Sequence, residues 1–374
     1  MSVIGIQSDF TQKSVNVLLD FLEAGDVVVP IANQVKDIKP RVEAAQIESL
    51  YDIAENKFTF TGMKAVNPLY KEVKGGFVLF SSGTTGPPKA ALHDYTRFIS
   101  KFDYPGKSFR TIMFLLFDHI GGWNTLFYTL RNGTPIYISD RSPGGVCRAI
   151  AENKAELLPS TPSFLNLMLL SGAYKEHDLS SLKLITYGTE PMPPATLKAL
   201  SKALPDVKLK QTYGLSELGI MRTKSGEGLW LKIGDEHRIV NGRLWIKSKT
   251  SMVGYLNAPS PFKDGWYDTG DLVDEKNGYI RFRGRDSDII NVGGYKVSPI
   301  DVESCILEIP GIKDVTVKGE PNPILGQVVI AKVVGNVSEK RIKTYVRHKI
   351  GKFHTPMRIE YVERLHTERF KRLR

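Results

Sequence analysis

The chain has 374 residues, 24% charged and 41% hydrophobic, which is enough for two or more domains with a large core. Its two cysteines, Cys147 and Cys305, exclude a disulfide framework, and their separation gives no metal-binding pattern, so we expect a reducing, cytoplasmic setting. Residues 1–9 lack the basic start and apolar core of a signal peptide, and no apolar run approaches the roughly 18–20 residues of a membrane span.

The net charge of +11 is concentrated at the C-terminal end, because Ser338–Arg374 contains 12 Lys and Arg against 4 Glu. Such a segment is typical of a surface that binds nucleic acid. An ordinary solvated helical face has the same composition, and the segment alone does not separate the two.

The first predicted elements are a strand, a helix and a strand. Residues 3–6 and 27–30 are apolar and extended in pattern, and Gly25 is suited to end the helix between them. The buried face of that helix is predicted from four apolar positions at helical spacing: Val15, Leu18, Leu19 and Leu22.

A hydroxyl- and glycine-rich loop follows the apolar segment Gly76–Phe80. Glycines allow backbone N–H groups to face an anion, hydroxyls add donors, and a lysine adds a positive charge, so the loop suits a nucleotide polyphosphate. Its glycine and lysine spacing differs from that of a Walker loop, and a plain polar turn is the alternative. The loop comprises Ser81, Ser82, Gly83, Thr84, Thr85, Gly86, Pro87, Pro88 and Lys89.

Strands near residues 182–187 and 207–212 flank a helix predicted from Pro194 to about Leu204, which favours parallel, doubly wound sheets. From Gly242 onward, short β-rich segments predict a barrel-like antiparallel region. After Arg285 the pattern is typical of an α+β unit, in which Ser298 caps one helix and a second helix runs from Ser338 to about Ile350. We therefore predict an α/β fold with an N-terminal domain over 1–283 and a small C-terminal domain over 284–374.

Several motifs occur in a fixed order along the chain. The loop at residues 81–89 is followed by Thr212–Glu217, Tyr267–Leu272, Gly284–Ile290 and Thr367–Lys371. In this series the chain resembles the adenylate-forming superfamily of acyl- and aryl-CoA synthetases, peptide-synthetase adenylation domains and luciferases. The resemblance implies ATP and Mg²⁺ as cofactors, a mobile C-terminal domain, and an N-terminal subdomain shorter than usual. A partner subunit would then cover the exposed flank of the sheet, which predicts a homo-oligomer.

The resemblance also assigns nucleotide contacts. Ser82, Thr84, Thr85 and Lys89 would contact the β- and γ-phosphates, and Glu217 would hold Mg²⁺. The adenine and α-phosphate would be contacted by Gly188, Thr189, Glu190, Thr212, Tyr213, Gly214 and Ser216. The stretch Gly188–Glu190 departs from the double glycine that is commoner in the family. The ribose hydroxyls would be gripped by Asp271 and Arg285, an acceptor and a donor fork suited to a diol.

By the same resemblance, Lys371 would reach the carboxylate and α-phosphate during adenylation, with Phe370 where the family has glycine. The alternative is an ordinary basic tail. Gly293 and Gly294 would leave room for a pantetheine arm, with Lys296 near phosphate and a hinge at Ser287; a tight β-turn is the other interpretation of the glycine pair.

The acyl pocket is the part that the sequence describes least. In the resemblance, His119 gates the carboxylate, although it could equally be a buried core histidine, and Asp118 precedes it. Four further residues are expected to line the cavity, which favours a neutral acyl or aryl acid: Trp123, Thr161, Phe164 and Tyr187.

Together these features predict an ATP-dependent carboxylic acid ligase that forms an acyl-adenylate and then a thioester. Coenzyme A is the expected acceptor, and phosphopantetheine on a carrier protein is the alternative; the basic C-terminal segment would attract the phosphate of the first or the acidic surface of the second. A non-catalytic nucleotide-binding protein is the competing hypothesis from another class. Nucleic acid is not expected as a partner.

Overall fold

The computed structural model describes residues 1–81 and 87–365. Within that part of the chain the α-helices are α1 (Gln12–Glu23), α2 (Lys39–Ala44), α3 (Tyr95–Ile99), α4 (Ile120–Asn132), α5 (Pro143–Asn153), α6 (Pro162–Ser171), α7 (Pro194–Ala203), α8 (Pro299–Leu307) and α9 (Glu339–Ile350).

The strands up to residue 215 are β1 (Val3–Ser8), β2 (Val27–Ala32), β3 (Ser49–Asp52), β4 (Lys57–Phe60), β5 (Gly76–Ser81), β6 (Lys89–Asp94), β7 (Arg110–Ile112), β8 (Thr134–Ile136), β9 (Leu157–Ser160), β10 (Leu184–Tyr187), β11 (Lys208–Gln211) and β12 (Gly214–Leu215). Those that follow are β13 (Gly219–Ile220), β14 (Thr223–Ser225), β15 (Leu231–Ile233), β16 (Glu236–Val240), β17 (Arg243–Lys247), β18 (Gly254–Tyr255), β19 (Phe262–Lys263), β20 (Trp266–Lys276), β21 (Tyr279–Arg285), β22 (Ile290–Val292), β23 (Tyr295–Val297), β24 (Ile312–Asn322), β25 (Gly326–Gly335) and β26 (Arg358–Tyr361).

The helix boundaries follow local capping chemistry. Thr11 caps α1 and forms a reciprocal capping box with Ser14, and Gly25 follows the helix at a φ of +85°. Ser298 caps α8, where its side chain accepts a hydrogen bond from the Asp301 backbone N–H at 3.4 Å. The predicted end of α1 and the predicted start of α8 are therefore confirmed.

The first sheet has the strand order β18-β6-β5-β2-β1-β3-β4, and its central strands β3, β1, β2 and β5 run parallel. Every residue of β2 is buried, as expected of a central parallel strand covered on both faces. One face packs against α1 and α4, and the other against the α2 region, so the predicted doubly wound arrangement is confirmed.

The second sheet, β11-β10-β9-β7-β8, is entirely parallel and packs against α5, α6 and α7. The predicted barrel-like region is an antiparallel half-barrel, ordered β14-β15-β21-β20-β17-β16, with β19 paired to β20. Its apolar interior includes Leu231, Leu244, Ile246 and Ile280.

The described residues from Ile290 onward form an α+β unit with the sheet β23-β22-β25-β24, to which β26 adds in parallel. Helices α8 and α9 contribute to its separate hydrophobic core. A hydrogen bond of 3.3 Å from the Asn166 side-chain amide on α6 to the Lys313 carbonyl joins this unit to the second sheet's helical layer. The division at residues 283 and 284 remains a prediction.

Candidate active site

The predicted phosphate loop is held by a β-hairpin. Ser81 at the end of β5 and Lys89 at the start of β6 are directly paired across the hairpin, so both ends of the loop lie at one point. Asn257 fixes the returning end: its side chain accepts from the Ala90 N–H at 2.9 Å and donates to the Pro88 carbonyl at 3.0 Å. The predicted contacts Ser82, Gly83, Thr84, Thr85 and Gly86 lie outside the described residues.

Glu217 lies beside this hairpin and is buried, with 6% of its surface exposed. Its Oε1 accepts a hydrogen bond of 2.5 Å from the Tyr255 hydroxyl. Tyr255 belongs to β18, which pairs with β6, and the Lys89 ammonium lies 5.4 Å from the Tyr255 ring centroid. Tyr255 therefore links the predicted metal ligand to the predicted phosphate-binding lysine.

Burial raises the pKa of the Tyr255 hydroxyl, and the negative charge of Glu217 raises it further. Tyr267 has a raised pKa for the same two reasons, in the same order, with Tyr255 acting in the opposite direction. Both phenols are consequently neutral donors at physiological pH. Neither tyrosine was given a role from the sequence: Tyr267 was named only as the first residue of the Tyr267–Leu272 motif, and nothing in the local pattern distinguishes Tyr255 from other strand tyrosines.

The predicted ribose pair is adjacent on the half-barrel. Asp271 on β20 and Arg285 on β21 are cross-strand partners, with 3.5 Å between Arg285 Nε and Asp271 Oδ1. The Tyr213 hydroxyl donates to the other carboxylate oxygen, Oδ2, at 2.6 Å. Burial raises the pKa of Asp271, against the opposing effects of these two partners. The Asp271 carboxylate thus keeps lone pairs that can accept further hydrogen bonds, and it lies next to the Arg285 guanidinium, which can donate them.

Tyr213 was predicted to stack on adenine. In the structure its ring stacks on Phe282, with 4.5 Å between the centroids and 22° between the planes. One aromatic face of Tyr213 is therefore covered by protein, and burial together with the Asp271 charge raises its pKa well above the usual value. The predicted adenine contact stays a prediction and would use the opposite face or edge of the ring.

The segment after β10 brings Gly188 against Thr212. A Cβ at Gly188 would lie 2.6 Å from Thr212 Oγ1 and 2.7 Å from its carbonyl oxygen, so a side chain cannot be accommodated there. Thr212 in turn donates from its hydroxyl to the Tyr187 carbonyl at 3.1 Å. Gly188, which follows β10, and Thr212, which follows the neighbouring parallel strand β11, therefore contact each other directly.

Thr189 adopts a φ of +69°, a left-handed conformation that is strained for a β-branched residue. This explains physically why a glycine would be the easier choice at this position. Glu190, next along the chain, directs its carboxylate to the first turn of α6, where it accepts from the Ser163 N–H at 3.2 Å and from the Ser163 hydroxyl. The Glu190 side chain thus anchors α6 in addition to any contact that its backbone makes with adenine.

The Gly214–Glu217 segment turns tightly. A Cβ at Gly214 would lie 2.6 Å from the Gly219 carbonyl oxygen, so β12 and β13 pair this closely only because position 214 is glycine. The Ser216 carbonyl accepts from His93 Nε2 at 2.8 Å. His93 was not identified from the sequence, although a histidine ending the apolar run Ala90–Leu92 was a visible signal.

His119 is half-buried at the N-terminus of α4, where its Nδ1 accepts from the Gly121 N–H at 3.1 Å. It is therefore a half-buried helix cap and not a buried core histidine, while the predicted gating role stays a prediction. Asp118 beside it is buried.

Two of the four residues expected to line an acyl cavity have a different role. Trp123 and Phe164 are fully buried in core clusters, so neither forms a cavity wall. Thr161 caps α6. Tyr187 lines a cavity of about 340 Å³ between α7 and β11, which Gln211 and Trp230 also line.

In the C-terminal unit, Gly293 and Gly294 form the two-residue turn between β22 and β23, at φ values of +58° and +91°. The tight-turn interpretation is thus correct as geometry, because both positions require a left-handed backbone. Lys296 is exposed on β23, and Ser287 lies in a 3₁₀ turn directly after β21. Lys371 and Phe370 lie outside the described residues.

The donor set suits a magnesium nucleotide. Mg²⁺ in such sites is usually held by one or two carboxylates together with substrate phosphates, and Glu217 offers one buried carboxylate beside the loop hairpin. Among residues 1–81 and 87–365, no group of three or more His, Cys, Asp or Glu side chains is placed to bind a metal. In the same part of the chain, no helix combines the length and apolarity needed to cross a bilayer.

Comparison with known families decides the relationship. The model of the AMP-binding enzyme family matches residues 3–256, and that of the AMP-binding enzyme C-terminal domain matches residues 301–371. The chain belongs to the AMP-binding enzyme family. The two matches include the hairpin, the Tyr213–Glu217 segment and most of the C-terminal unit.

Individual relatives are distant. The chain is 27% identical over 322 residues to the long-chain-fatty-acid–CoA ligase FadD13 of Mycobacterium tuberculosis, an alignment that covers 77% of this chain and 63% of the ligase. It is 26% identical over 313 residues to the 3,4-dihydroxybenzoate–[aryl-carrier protein] ligase of Bacillus anthracis, with 81% and 73% covered. The chain thus spans less than two thirds of FadD13.

The fold is that of solved AMP-binding enzymes. The anthranilate CoA ligase AuaEII, solved in complex with anthranoyl-AMP, superposes with a TM-score of 0.83 at 20% identity, covering 99% of this chain and 85% of that one. A large N-terminal part and a smaller C-terminal part are shared, which confirms the predicted fold class.

Proposed function

We propose that this chain activates a carboxylic acid with ATP to form an acyl-adenylate and pyrophosphate, and then transfers the acyl group to a thiol. A carboxylate oxygen attacks the α-phosphorus as the bond to pyrophosphate breaks. A thiolate then attacks the acyl carbonyl and AMP leaves. Such chemistry depends on positioning and charge neutralisation more than on covalent participation by the protein.

One observation carries the proposal: the residues predicted for the phosphates, the metal and the ribose lie close to one another. The Lys89 ammonium lies over the ring of Tyr255, whose hydroxyl donates to Glu217. Tyr213, in the same segment as Glu217, donates to Asp271, the cross-strand partner of Arg285. Segments from four distant parts of the chain thus contribute to one candidate site.

Each group has a role in this reaction. Lys89 and the hydroxyls of the loop would neutralise the β- and γ-phosphates, Glu217 would hold Mg²⁺ against them, and Asp271 with Arg285 would hold the ribose. When bound, Mg²⁺ would withdraw charge from the departing pyrophosphate. Tyr255 keeps the Glu217 carboxylate in a fixed orientation, and Lys371 would stabilise charge that develops at the α-phosphate.

Pyrophosphate exchange with a panel of acyl and aryl acids tests the proposal. We expect exchange with at least one acid, and a loss of about 10- to 100-fold in Glu217→Gln, the range typical of perturbed metal sites. Glu227→Gln, at an exposed loop position, is the matched control and should keep full activity. Nucleotide binding without exchange for any acid would instead support the non-catalytic hypothesis.

The acceptor is proposed to be coenzyme A, since several relatives are named as CoA ligases. The alternative, a carrier protein, is favoured by the relative from Bacillus anthracis and by the basic exposed face of α9, which contains Lys340, Arg341 and Arg347. Parallel assays with coenzyme A and a phosphopantetheinylated carrier protein distinguish the two. Changing these three residues to Glu should slow transfer to a carrier protein more than transfer to coenzyme A.

A further inference from the structure

His93 occupies a closed position in the first sheet. It lies on β6, only 1% of its surface is exposed, and its ring stacks in parallel on Phe77 with 4.8 Å between the centroids. Phe77 also stacks on the buried Trp123 of α4 at 4.1 Å. The imidazole therefore has little freedom to rotate or to leave its place.

The hydrogen bond to Ser216 defines the state of this ring. A carbonyl oxygen only accepts, so His93 Nε2 carries the hydrogen that joins it to the Ser216 carbonyl at 2.8 Å. Burial lowers the pKa of His93 to about 3, with the nearby charges of Lys101 and Arg97 acting in the same direction. The ring is thus neutral at physiological pH, and its Nδ1 has no hydrogen-bond partner among the described residues.

This bond joins two parts of the candidate active site. Strand β6 begins with Lys89 at the phosphate loop and carries His93 near its other end. The Ser216 carbonyl belongs to the peptide group whose N–H is that of Glu217, so His93 orients the backbone from which the predicted metal ligand extends. Tyr255, on β18 beside β6, holds the carboxylate of the same residue.

We propose that His93 is a positioning residue: it fixes the Ser216–Glu217 peptide relative to the phosphate-loop hairpin, and thereby sets the affinity of Glu217 for the nucleotide-bound divalent cation. The inference rests on the proposed function, because it takes Glu217 to be the metal ligand. His93 contacts neither nucleotide nor acid in this scheme and acts only through the peptide group.

Two amide substitutions separate this role from simple core packing. In His93→Gln the amide nitrogen extends about as far as imidazole Nε2 and can still donate to the Ser216 carbonyl. In His93→Asn it reaches only as far as Nδ1, so the hydrogen bond is lost while a polar amide remains. Both place a similar polar group in the same buried site, which makes each the control for the other.

The measurement is Mn²⁺ binding in the presence of ATP, followed by electron paramagnetic resonance, together with the Mg²⁺ concentration that half-activates pyrophosphate exchange. We expect His93→Asn to weaken metal binding about 10-fold or more, as loss of an outer partner of a metal ligand typically does, and His93→Gln to remain within about threefold of the wild type. The KM for the acid should be unchanged in both.

Equal metal affinity in wild type, His93→Asn and His93→Gln would overturn the inference, as would equal losses in the two variants. If His93→Asn does not fold, His93→Leu replaces it with an apolar side chain that also lacks the donor, and the same comparison applies. A wild type that binds Mn²⁺ with ATP but shows no exchange with any acid would refute the proposed function while leaving the binding comparison valid.

Discussion

Asp271 offers the most direct test of the nucleotide assignment. Asp271→Asn keeps the size and shape of the side chain but removes the charge that pairs with Arg285 Nε at 3.5 Å and accepts from the Tyr213 hydroxyl at 2.6 Å. A hydrogen bond to a charged group contributes about 1.5–3 kcal/mol, so loss of one ribose hydrogen bond should raise the KM for ATP roughly 10- to 150-fold.

The assay is a double-mutant cycle between protein and nucleotide. Pyrophosphate exchange is measured for wild type and Asp271→Asn with ATP, 2′-deoxy-ATP and 3′-deoxy-ATP. If Asp271 accepts from a ribose hydroxyl, the deoxy nucleotide that lacks this hydroxyl should be a poorer substrate than ATP for the wild type. For Asp271→Asn, the same deoxy nucleotide and ATP should give similar exchange activity.

The matched control is Asp274→Asn. Asp274 faces Arg281 across the same two strands, with 2.6 Å between its Oδ2 and the Arg281 guanidinium, yet it is not part of the proposed site. It should leave the KM for ATP within about twofold, because an exposed ion pair contributes about 0–1 kcal/mol to stability. The ribose assignment would be refuted if the loss caused by Asp271→Asn were fully additive with the loss caused by removing either ribose hydroxyl. It would also be refuted if Asp274→Asn raised the KM for ATP as much as Asp271→Asn does.

Three further predictions concern the lysine, the buried histidine and the strained threonine. Lys371→Ala should lose most adenylation but still form thioester from supplied acyl-adenylate; equal loss of both half-reactions would show that its role is different. Since the folded pKa of His93, about 3, lies below its unfolded value near 6.5, wild type should lose stability as pH falls from 6.5 toward 3. Between pH 6.5 and 4.5, the free energy of unfolding measured with urea should fall by about 2 kcal/mol less in His93→Gln than in the wild type. Identical pH profiles of the two proteins would contradict this. Thr189→Gly should raise unfolding free energy by roughly 0.5–1 kcal/mol, because relief of the left-handed strain exceeds the added backbone entropy; a destabilised variant would show that Thr189 makes compensating contacts.

The position of Glu190 illustrates how the structure refines a motif. From the sequence it was one of three residues placed along adenine, and a single interpretation covered them all. In the structure Gly188 allows close approach to Thr212, Thr189 carries backbone strain, and Glu190 holds α6 through Ser163. Neighbouring residues of one motif thus have three separate physical roles.

Local chemistry was readable from the sequence because it depends on neighbours along the chain. Gly25, Ser298 and the glycine pair at 293–294 each act within a few residues, so one helix end, one helix start and the hairpin turn were predictable. The parallel, doubly wound character of the N-terminal sheets was also indicated by alternating strands and helices.

Only the tertiary structure decided which distant side chains meet at the site and which enter the core. Tyr255 reaches Glu217 because β18 pairs with β6, and that pairing joins residues more than 160 positions apart. Trp123, by contrast, faces the core of the first sheet, where it packs on Phe77. Such contacts depend on how helices and sheets pack against each other, and local patterns of polarity carry no information about that.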